Sequence, residues 1–265
     1  MRRLIVTFLV AWVVGGSSGC SPDRGAESAL AGVAGQTAST SGVDPYAAVP
    51  YLGELERNLL FGEIWSRPEL SERDRSLVTL AVTQARFNTE ELRQYLNRAL
   101  DAGVTPEEIS ELMTHVTIYA GWPTGSNASR VVVDVYEARG IPFPAPVEPV
   151  SMEIDLRGQD PGYPGLPYLS ALTRSVLFDE TEGVWSRPGL SPRDRSMITV
   201  AVAQAAHASD QLRGHLGRAL NNGLTAGEIA EVIAHVTLYT GWPAGVNAAR
   251  IAGEVFAERG VSVPQ

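Results

Sequence analysis

Two histidines begin nearly identical segments of the chain, HVTIYAGWPTGSNASR at His115 and HVTLYTGWPAGVNAAR at His235. In each segment a glutamate lies four residues before the histidine and a tyrosine four residues after it, so all three share one side of a helix. An imidazole oriented by a carboxylate can act as a general acid or base. The pattern is also typical of a buried histidine that holds helices in register, and both interpretations stay open. The side chains concerned are Glu111, His115 and Tyr119, and Glu231, His235 and Tyr239.

A second polar cluster lies one helix before each of these segments, and here the two copies differ. The first copy carries Glu91 and Tyr95 one helical turn apart, whereas the second carries Gln211 and His215 at the matching positions. Only the second copy therefore offers an imidazole in this place.

Arginine and tryptophan residues have a structural and a functional interpretation as well. An Arg-Asp-Arg sequence ends at Arg75 and again at Arg195. It indicates either a helix cap with salt bridges or recognition of a substrate carboxylate, which a guanidinium group binds through two hydrogen bonds. Trp122 and Trp242 each follow a glycine and are either packing anchors or surfaces on which a ligand stacks.

These residues belong to a tandem duplication. Residues 65–140 align with residues 185–260 without a gap, and 40 of the 76 positions are identical. Proline-rich residues 141–166 separate the copies and favour an extended linker. Within each copy, cap residues such as Ser71 and Thr105 and stop signals such as Gly103 predict about five helices. We therefore expect an all-α protein.

Composition excludes several classes of function. The chain has 265 residues and a formal charge of −9, so we expect no nucleic-acid partner. All 21 basic residues are arginine, which excludes Schiff-base chemistry through lysine. The only cysteine is Cys20, so the folded body has no dithiol centre. The four histidines show no recognised ligand spacing, and we expect neither a metal nor another cofactor, although a histidine-bound metal remains an open alternative.

The N-terminus has the pattern of an export signal. Residues 1–20 combine two arginines, a short apolar core and small residues that end at Cys20, as in a bacterial lipoprotein signal. Residues 21–44 are rich in Ser, Gly, Ala and Thr and predict a disordered tether. We expect a protein that is exported and anchored on the periplasmic side of the bacterial cell envelope through a lipid on Cys20, with ordinary secretion as the alternative.

Several of these segments together resemble the carboxymuconolactone decarboxylase family, which shares its fold with alkylhydroperoxidase D. The resemblance rests on RDRSLVTLAV and RDRSMITVAV, on the Thr-x-x-Glu-Ile boxes and on HVTxYxGWPxGxNAxR in both copies. It implies two tandem alkylhydroperoxidase D-like helical repeats, at residues 45–140 and 167–265. It also implies self-association into a trimer or a similar ring.

The peroxidase branch of that fold uses a C-x-x-C-x-x-x-H segment. In register, its cysteines fall at Asn88 and Glu91 in the first repeat, and its histidine falls at Tyr95. The second repeat has Ala208, Gln211 and His215 at these positions. Because every thiol is missing, we expect no thiol peroxidase activity.

The decarboxylase branch is a closer match, with RSL at a helix start and EL followed two residues later by His. The first repeat has Glu91 without the histidine and the second has His215 without the glutamate, so the resemblance implies either a loss of full activity or a composite site that draws on both repeats. It makes His215 the first candidate for the proton donor, ahead of His235 and His115. Glu91, Tyr95 and Gln211 are the other catalytic candidates. The substrate-binding candidates are Arg75 and Arg195, which would hold a substrate carboxylate, and Tyr119, Tyr239, Trp122 and Trp242, which would exclude water.

Two functional hypotheses follow. The first is a carboxy-lyase of the cell envelope that acts on a small carboxylated or lactone-like substrate without a cofactor. The second is a binding or scaffold module of the same fold that has lost catalysis. An enzyme predicts that His215, an arginine and aromatic rings converge on one enclosed cavity, whereas a scaffold predicts that they are packed solid or scattered.

Overall fold

The computed structural model describes residues 44–145, Ile154 and residues 166–262. The predicted signal peptide, Cys20, most of the predicted tether and most of the linker lie outside the described residues. Within the described ranges the chain forms ten α-helices and no strand. The prediction of an all-α fold is confirmed.

Each repeat contributes five α-helices in the same order. In the first repeat a π-helical turn at Glu56–Phe61 and a 3₁₀ turn at Ile64–Ser66 lie between the first and second helices. The helices of the first repeat are α1 (Pro50–Leu55), α2 (Glu72–Ala85), α3 (Thr89–Asp101), α4 (Pro106–Ala120) and α5 (Trp122–Arg139). Those of the second are α6 (Pro167–Phe178), α7 (Pro192–Ala205), α8 (Ser209–Asn221), α9 (Ala226–Thr240) and α10 (Trp242–Glu258).

Local sequence signals start most of these helices. The Ser71 and Ser191 side chains accept hydrogen bonds from backbone amides in the first turns of α2 and α7. Thr105 and Thr225 form complete capping boxes at α4 and α9. The helices α3 and α8 begin without a side-chain cap: Thr89 and Ser209 are their first helical residues, and Asn88 and Ala208 occupy the cap positions without a side-chain hydrogen bond.

Glycines make the sharp junction between the last two helices of each repeat. Gly121 and Gly241 have φ angles of 98° and 90°, a conformation that residues with a side chain rarely adopt. One turn later, Gly125 approaches α4 so closely that an added Cβ atom would lie 2.0 Å from the Thr117 Oγ1 atom. Glycine is therefore required both to turn the chain and to let α5 pack against α4.

The two repeats share one hydrophobic core. α2 and α7 pack against each other at its centre, and α2 also packs against α9 while α7 packs against α4. Ion pairs join the starts of the central helices: Arg73 binds Asp194 at 3.1 Å and Arg193 binds Asp74 at 2.9 Å. This crossed arrangement brings side chains of one repeat onto the central helix of the other. No described helix combines the length and the apolar character that crossing a membrane requires.

Candidate functional site

The crossed packing creates two related clusters, each built from both repeats. The first cluster, called the His215 site, combines residues of the second repeat with three residues of α4. Its members are Trp185, Arg187, Arg195, Thr199, His215 and Arg218, with Glu111, His115 and Tyr119. The second cluster, called the Tyr95 site, exchanges the roles of the repeats. Its members are Trp65, Arg67, Arg75, Thr79, Tyr95 and Arg98, with Glu231, His235 and Tyr239.

A buried carboxylate forms the base of the His215 site. Glu111 accepts hydrogen bonds from Arg187, at 2.6 Å to Nη2, and from Arg195, at 3.2 Å to Nη2. Arg195 has no exposed surface, and its Nη2 atom also donates to the carbonyl oxygens of Arg187 and Pro188. Two arginines thus pair with one buried carboxylate, and the Arg195–Glu111 pair joins α4 of the first repeat to α7 of the second.

A short contact between His115 and Thr199 assigns the tautomer of the buried imidazole. His115 Nε2 lies 2.7 Å from Thr199 Oγ1, and that hydroxyl lies 2.7 Å from the Arg195 carbonyl oxygen. The hydroxyl has a single hydrogen, and the carbonyl can only accept. The ring therefore donates from Nε2, and its Nδ1 atom carries a lone pair. Among the described residues this buried Nδ1 atom has no hydrogen-bond partner.

Two aromatic rings, those of Trp185 and Tyr119, contact His215. The Trp185 and His215 rings are parallel within 5° at a centroid distance of 6.1 Å, and Tyr119 meets His215 edge-on at 5.4 Å. Trp185 Nε1 donates to the Tyr119 hydroxyl at 2.8 Å, and the His115 ring lies 5.2 Å from Trp185. His215 is half-buried, and its Nδ1 atom has no hydrogen-bond partner in the described parts of the chain. A half-buried imidazole with a buried, unpaired Nδ1 atom therefore lies beside two aromatic rings that a hydrogen bond holds together.

Burial and nearby cations keep the histidines of the site neutral. Burial, and then the positive charge of Arg218, lower the pKa of His215 to about 4. Burial, followed by Arg195 and His215, lowers the pKa of His115 to about 3. Arg218 itself lies over the Trp185 ring, 4.7 Å from its centroid. At neutral pH both imidazoles are uncharged, and a ligand that brings negative charge would favour protonation of His215.

The Tyr95 site has the same Thr–His and Trp–Tyr contacts as the His215 site, but a tyrosine ring takes the place of the His215 imidazole. Thr79 Oγ1 lies 2.8 Å from His235 Nε2, and Trp65 Nε1 donates to the Tyr239 hydroxyl at 2.9 Å. Tyr95 stands where His215 stands in the other site, parallel to Trp65 within 4°. Its hydroxyl accepts a hydrogen bond from Tyr239 at 3.1 Å, and burial raises the pKa of Tyr95.

Several residues expected at the site lie elsewhere. Trp122 and Trp242 are 75% and 66% exposed, because the Gly-Trp-Pro junction turns the indole towards solvent, so they do not form the expected walls. Glu91 and Gln211 lie exposed at the starts of α3 and α8. The expectation that Arg75 and Arg195 face a substrate is also corrected. Both have no exposed surface, because their helices form the centre of the core, and Glu231 and Glu111 bind them there.

Some site residues were missed by sequence reasoning. Trp65 and Trp185 begin the block that the repeats share, and this position in the repeat was the available signal. Thr79 and Thr199 follow the arginines Arg75 and Arg195 by four residues and so lie on the same side of α2 and α7. Their partners come from the opposite repeat, which no spacing within one repeat reveals. The other missed residues are Arg67, Arg187, Arg98 and Arg218.

A cavity of about 440 Å³ lies away from the histidines, on the outer side of α4 and α5. Met113, Thr117, Trp122, Tyr136 and Phe143 are among its lining residues, and none of the residues of either site lines it. In the ranges that the structure describes, no group of three or more acidic, histidine or cysteine side chains is placed to hold a metal ion.

Comparison with known proteins identifies relatives of both repeats. The model of the carboxymuconolactone decarboxylase family matches residues 50–134 and 175–254. The 4-carboxymuconolactone decarboxylase of Acinetobacter baylyi is 47% identical over 79 residues, 30% of this chain and 59% of that protein. The nitrosuccinic acid decarboxylase of Metarhizium robertsii is 38% identical over 65 residues, 24% of this chain and 46% of that protein. The chain thus matches about half of the length of these two relatives.

A solved structure from Burkholderia xenovorans, described as a gamma-carboxymuconolactone decarboxylase subunit, is also similar. It has a TM-score of 0.47 and 22% sequence identity, and the match covers 80% of this chain and 89% of that one. The two segments that match the family model make up well over half of the 265 residues. The chain therefore belongs to the carboxymuconolactone decarboxylase family.

Proposed function

We propose that the chain is a carboxy-lyase of the bacterial cell envelope, which removes CO2 from a small carboxylated or lactone-like compound at the His215 site. The observation that carries the proposal is the position of His215. Its ring is half-buried against Trp185 and Tyr119, and its Nδ1 atom has no partner among the described residues. The names of the two decarboxylases supply the class of reaction.

The reaction needs stabilisation of negative charge and one proton. The bond between the carboxylate and the adjacent carbon breaks, CO2 leaves, and the electron pair of that bond passes into a conjugated carbonyl as an enolate. A proton is then added to the carbon. A site without a bound cofactor must stabilise the enolate and deliver that proton.

His215 is suited to hold and deliver that proton. In the free protein burial and Arg218 keep the ring neutral, with a pKa of about 4. A substrate carboxylate next to the ring favours the protonated form, so the imidazole takes up a proton when substrate binds. After CO2 leaves, the protonated ring gives this proton to the carbon and returns to its neutral form, which balances the reaction.

Arg218 and the aromatic rings support this step. The guanidinium group of Arg218 is half-buried over Trp185, in reach of an anion that enters beside His215. Trp185 and Tyr119, fixed by their 2.8 Å hydrogen bond, restrict the approach of water to the enolate. Glu111 and Arg195 act from behind the rings by fixing α4 against α7.

The location and assembly of the protein are part of the proposal. The lipoprotein-type signal supports export and anchoring through Cys20. The exposure of Trp122 and Trp242 supports self-association into a trimer or a similar ring, because large exposed apolar side chains mark interaction surfaces.

A binding or scaffold module without catalysis is the second candidate. Two observations favour it: the rings of the Tyr95 site are hydrogen-bonded to one another, and the cavity of about 440 Å³ lies on the other side of α4 from the histidines. A scaffold of this kind predicts that no substrate is turned over and that replacing His215 changes only stability.

Release of CO2 distinguishes the two candidates. The purified full chain is incubated with a panel of small lactone acids and β-keto acids, alongside His215→Gln and the control His207→Asn. His207 is an exposed histidine with φ of 54°, a conformation that asparagine tolerates. We expect the wild type and the control to release CO2 from at least one compound, and His215→Gln to lose about 100-fold or more of the rate. No release from any compound, or an unchanged rate in His215→Gln, would contradict the proposal.

A further inference from the structure

The two sites have nearly the same contact distances and ring angles. They differ in the ring that packs against the tryptophan, which is Tyr95 in one site and His215 in the other. The Thr–His contacts measure 2.8 Å in the Tyr95 site and 2.7 Å in the His215 site. The Trp–Tyr hydrogen bonds measure 2.9 and 2.8 Å. The key ring is parallel to its tryptophan in both, within 4° for Tyr95 and 5° for His215. Any difference in function must therefore arise from the few groups that differ.

The two sites differ in the hydrogen bonds that their aromatic and imidazole rings make. In the Tyr95 site Trp65 donates to Tyr239, and Tyr239 donates to the Tyr95 hydroxyl at 3.1 Å. This chain of hydrogen bonds links the three rings, and Tyr95 is only 8% exposed. In the His215 site Trp185 likewise donates to Tyr119, and the Nδ1 atom of His215, the ring in the place of Tyr95, has no partner within the described residues.

A second difference between the sites concerns the buried arginine and the buried histidine. Arg75 Nη1 donates to Glu231 at 3.0 Å and lies 3.5 Å from the His235 Nδ1 atom, which carries the lone pair when Nε2 donates to Thr79. The matching atoms of the His215 site are Arg195 Nη1 and His115 Nδ1, both buried. Neither has a hydrogen-bond partner in the described ranges.

Unsatisfied buried polar atoms destabilise a fold, and in native proteins they are concentrated where the protein has another use for them. Four such atoms lie in the His215 site: His215 Nδ1, His115 Nδ1, Arg195 Nη1 and Arg195 Nε. In the Tyr95 site the Tyr95 hydroxyl, His235 Nδ1 and Arg75 Nη1 have contacts, whereas Arg75 Nε and Arg98 Nε have no hydrogen-bond partner among the described residues. The asymmetry therefore concerns the rings and the Nη1 atoms: the Tyr95 site gives these groups contacts within the protein, and the His215 site leaves their counterparts without a partner among the described residues.

We propose that each chain has one working site and one locked site, and that Tyr95 is the residue that locks the second by completing the Trp65–Tyr239–Tyr95 hydrogen-bond chain. The activity of the working site rests on the function proposed above, but the locked state of the other does not. Each chain would then bind one substrate molecule. The first repeat would contribute α4 to the His215 site, and its own site would have only a structural role.

Exchanging the key residues tests the locked state without any substrate. Thermal unfolding is measured for the full chain with His215→Tyr, which copies the locked arrangement onto the second site, and with Tyr95→His, which removes it from the first. We expect His215→Tyr to raise the Tm by about 2–4 °C and Tyr95→His to lower it by at least that amount. A lower Tm for His215→Tyr together with an unchanged Tm for Tyr95→His would overturn the proposal.

A second pair of variants keeps the test valid if an exchanged ring prevents folding. Tyr95→Phe removes only the hydroxyl that accepts from Tyr239, and we expect a lower Tm. His215→Phe removes a ring nitrogen without a partner, and we expect an equal or higher Tm. The opposite ranking of these two variants would show that the Tyr95 site is not locked by this hydrogen bond.

The number of working sites is tested separately, with a compound that the wild type decarboxylates. One working site predicts that His215→Gln leaves about 1% of the rate per chain or less. Two equivalent sites predict that half of the rate remains, and that result would overturn the proposal. Absence of any substrate would contradict the proposed function but leave the Tm test of the locked state intact.

Discussion

His115 and Thr199 come from different repeats and meet through a 2.7 Å contact between Nε2 and Oγ1 in the core of the protein. Because the threonine hydroxyl donates to the Arg195 carbonyl oxygen, the imidazole must donate to it. One contact thus joins the repeats and fixes the tautomer of His115. Its counterpart, between Thr79 and His235, has the same geometry.

The cost of losing this contact is our first prediction. Thr199→Val keeps the shape of the side chain but leaves the buried His115 Nε2–H without an acceptor, so we expect a loss of about 1–3 kcal/mol in the free energy of unfolding. Urea denaturation measures it. Thr79→Val is the matched control and is expected to lose a similar amount, and a stability equal to that of the wild type in both variants would contradict the assigned tautomer.

The free energy of unfolding is expected to fall at acid pH because three histidines are held in neutral form in the folded protein. The pKa of His215 is lowered from 6.5 to about 4, and those of His115 and His235 to about 3. The unfolded chain therefore takes up protons first as the pH falls below 6.5, so stability rises with pH between about 4 and 6.5 and levels off above. Each histidine adds a slope of up to about 1.4 kcal/mol per pH unit.

Urea denaturation between pH 5 and pH 7.5 checks this dependence. His215→Gln should show a shallower slope than the wild type near pH 5.5, because one of the three protons is no longer taken up on unfolding. A free energy of unfolding that stays constant from pH 7 to pH 5 would show that these rings are not held neutral.

Arg218 is expected to depress the pKa of His215 directly. Replacing it in Arg218→Gln removes the nearby positive charge, which is the second cause of the shift after burial, so the pKa should rise from about 4 towards 6.5. NMR titration of the ring proton resonances measures the change. Arg213→Gln lies on the same helix but pairs with Glu254 and Glu258, and we expect it to leave the titration of His215 in place.

Self-association is expected to depend on the exposed tryptophans. Trp122 and Trp242 are exposed and occupy equivalent positions in the two repeats. Each chain therefore has two similar apolar contact points, one for each neighbouring chain in a ring. We expect the wild type to form a trimer or a similar ring, and the double variant Trp122→Ser/Trp242→Ser to be monomeric by light scattering. Tyr51→Ser, which changes an equally exposed aromatic residue on α1, is the control. A monomeric wild type would contradict this prediction.

Features encoded by neighbouring residues were predictable from the sequence. Ser71 and Thr105 cap their helices as expected, because a cap depends on residues three positions apart. The turn at Gly121 was equally local. The resemblance suggested a composite site from the division of Glu91 and His215 between the repeats, but Glu91 lies exposed at the start of α3 and is not a member of the His215 site.

Contacts between the repeats were beyond such reasoning. The spacing of Glu111, His115 and Tyr119 placed them on one side of α4, but nothing within a repeat indicates that Thr199 and Trp185 of the other repeat meet them. Arg195 was expected either in a cap with salt bridges or on a substrate carboxylate, and the sequence did not show that Glu111 of the other repeat pairs with it in the core. A charged side chain such as Arg195 can be buried only with a partner of opposite charge, and here that partner comes from a distant part of the sequence.

The central claim is that the working site is assembled from both repeats around His215. The most direct test compares kcat for Tyr119→Phe and Tyr239→Phe on a compound that the wild type decarboxylates. Tyr119 lies in the first repeat but contacts His215, whereas Tyr239 lies in the same repeat as His215 but contacts Tyr95. We predict that Tyr119→Phe lowers kcat at least about ten-fold more than Tyr239→Phe does. An equal or greater loss in Tyr239→Phe would contradict a site built across the two repeats.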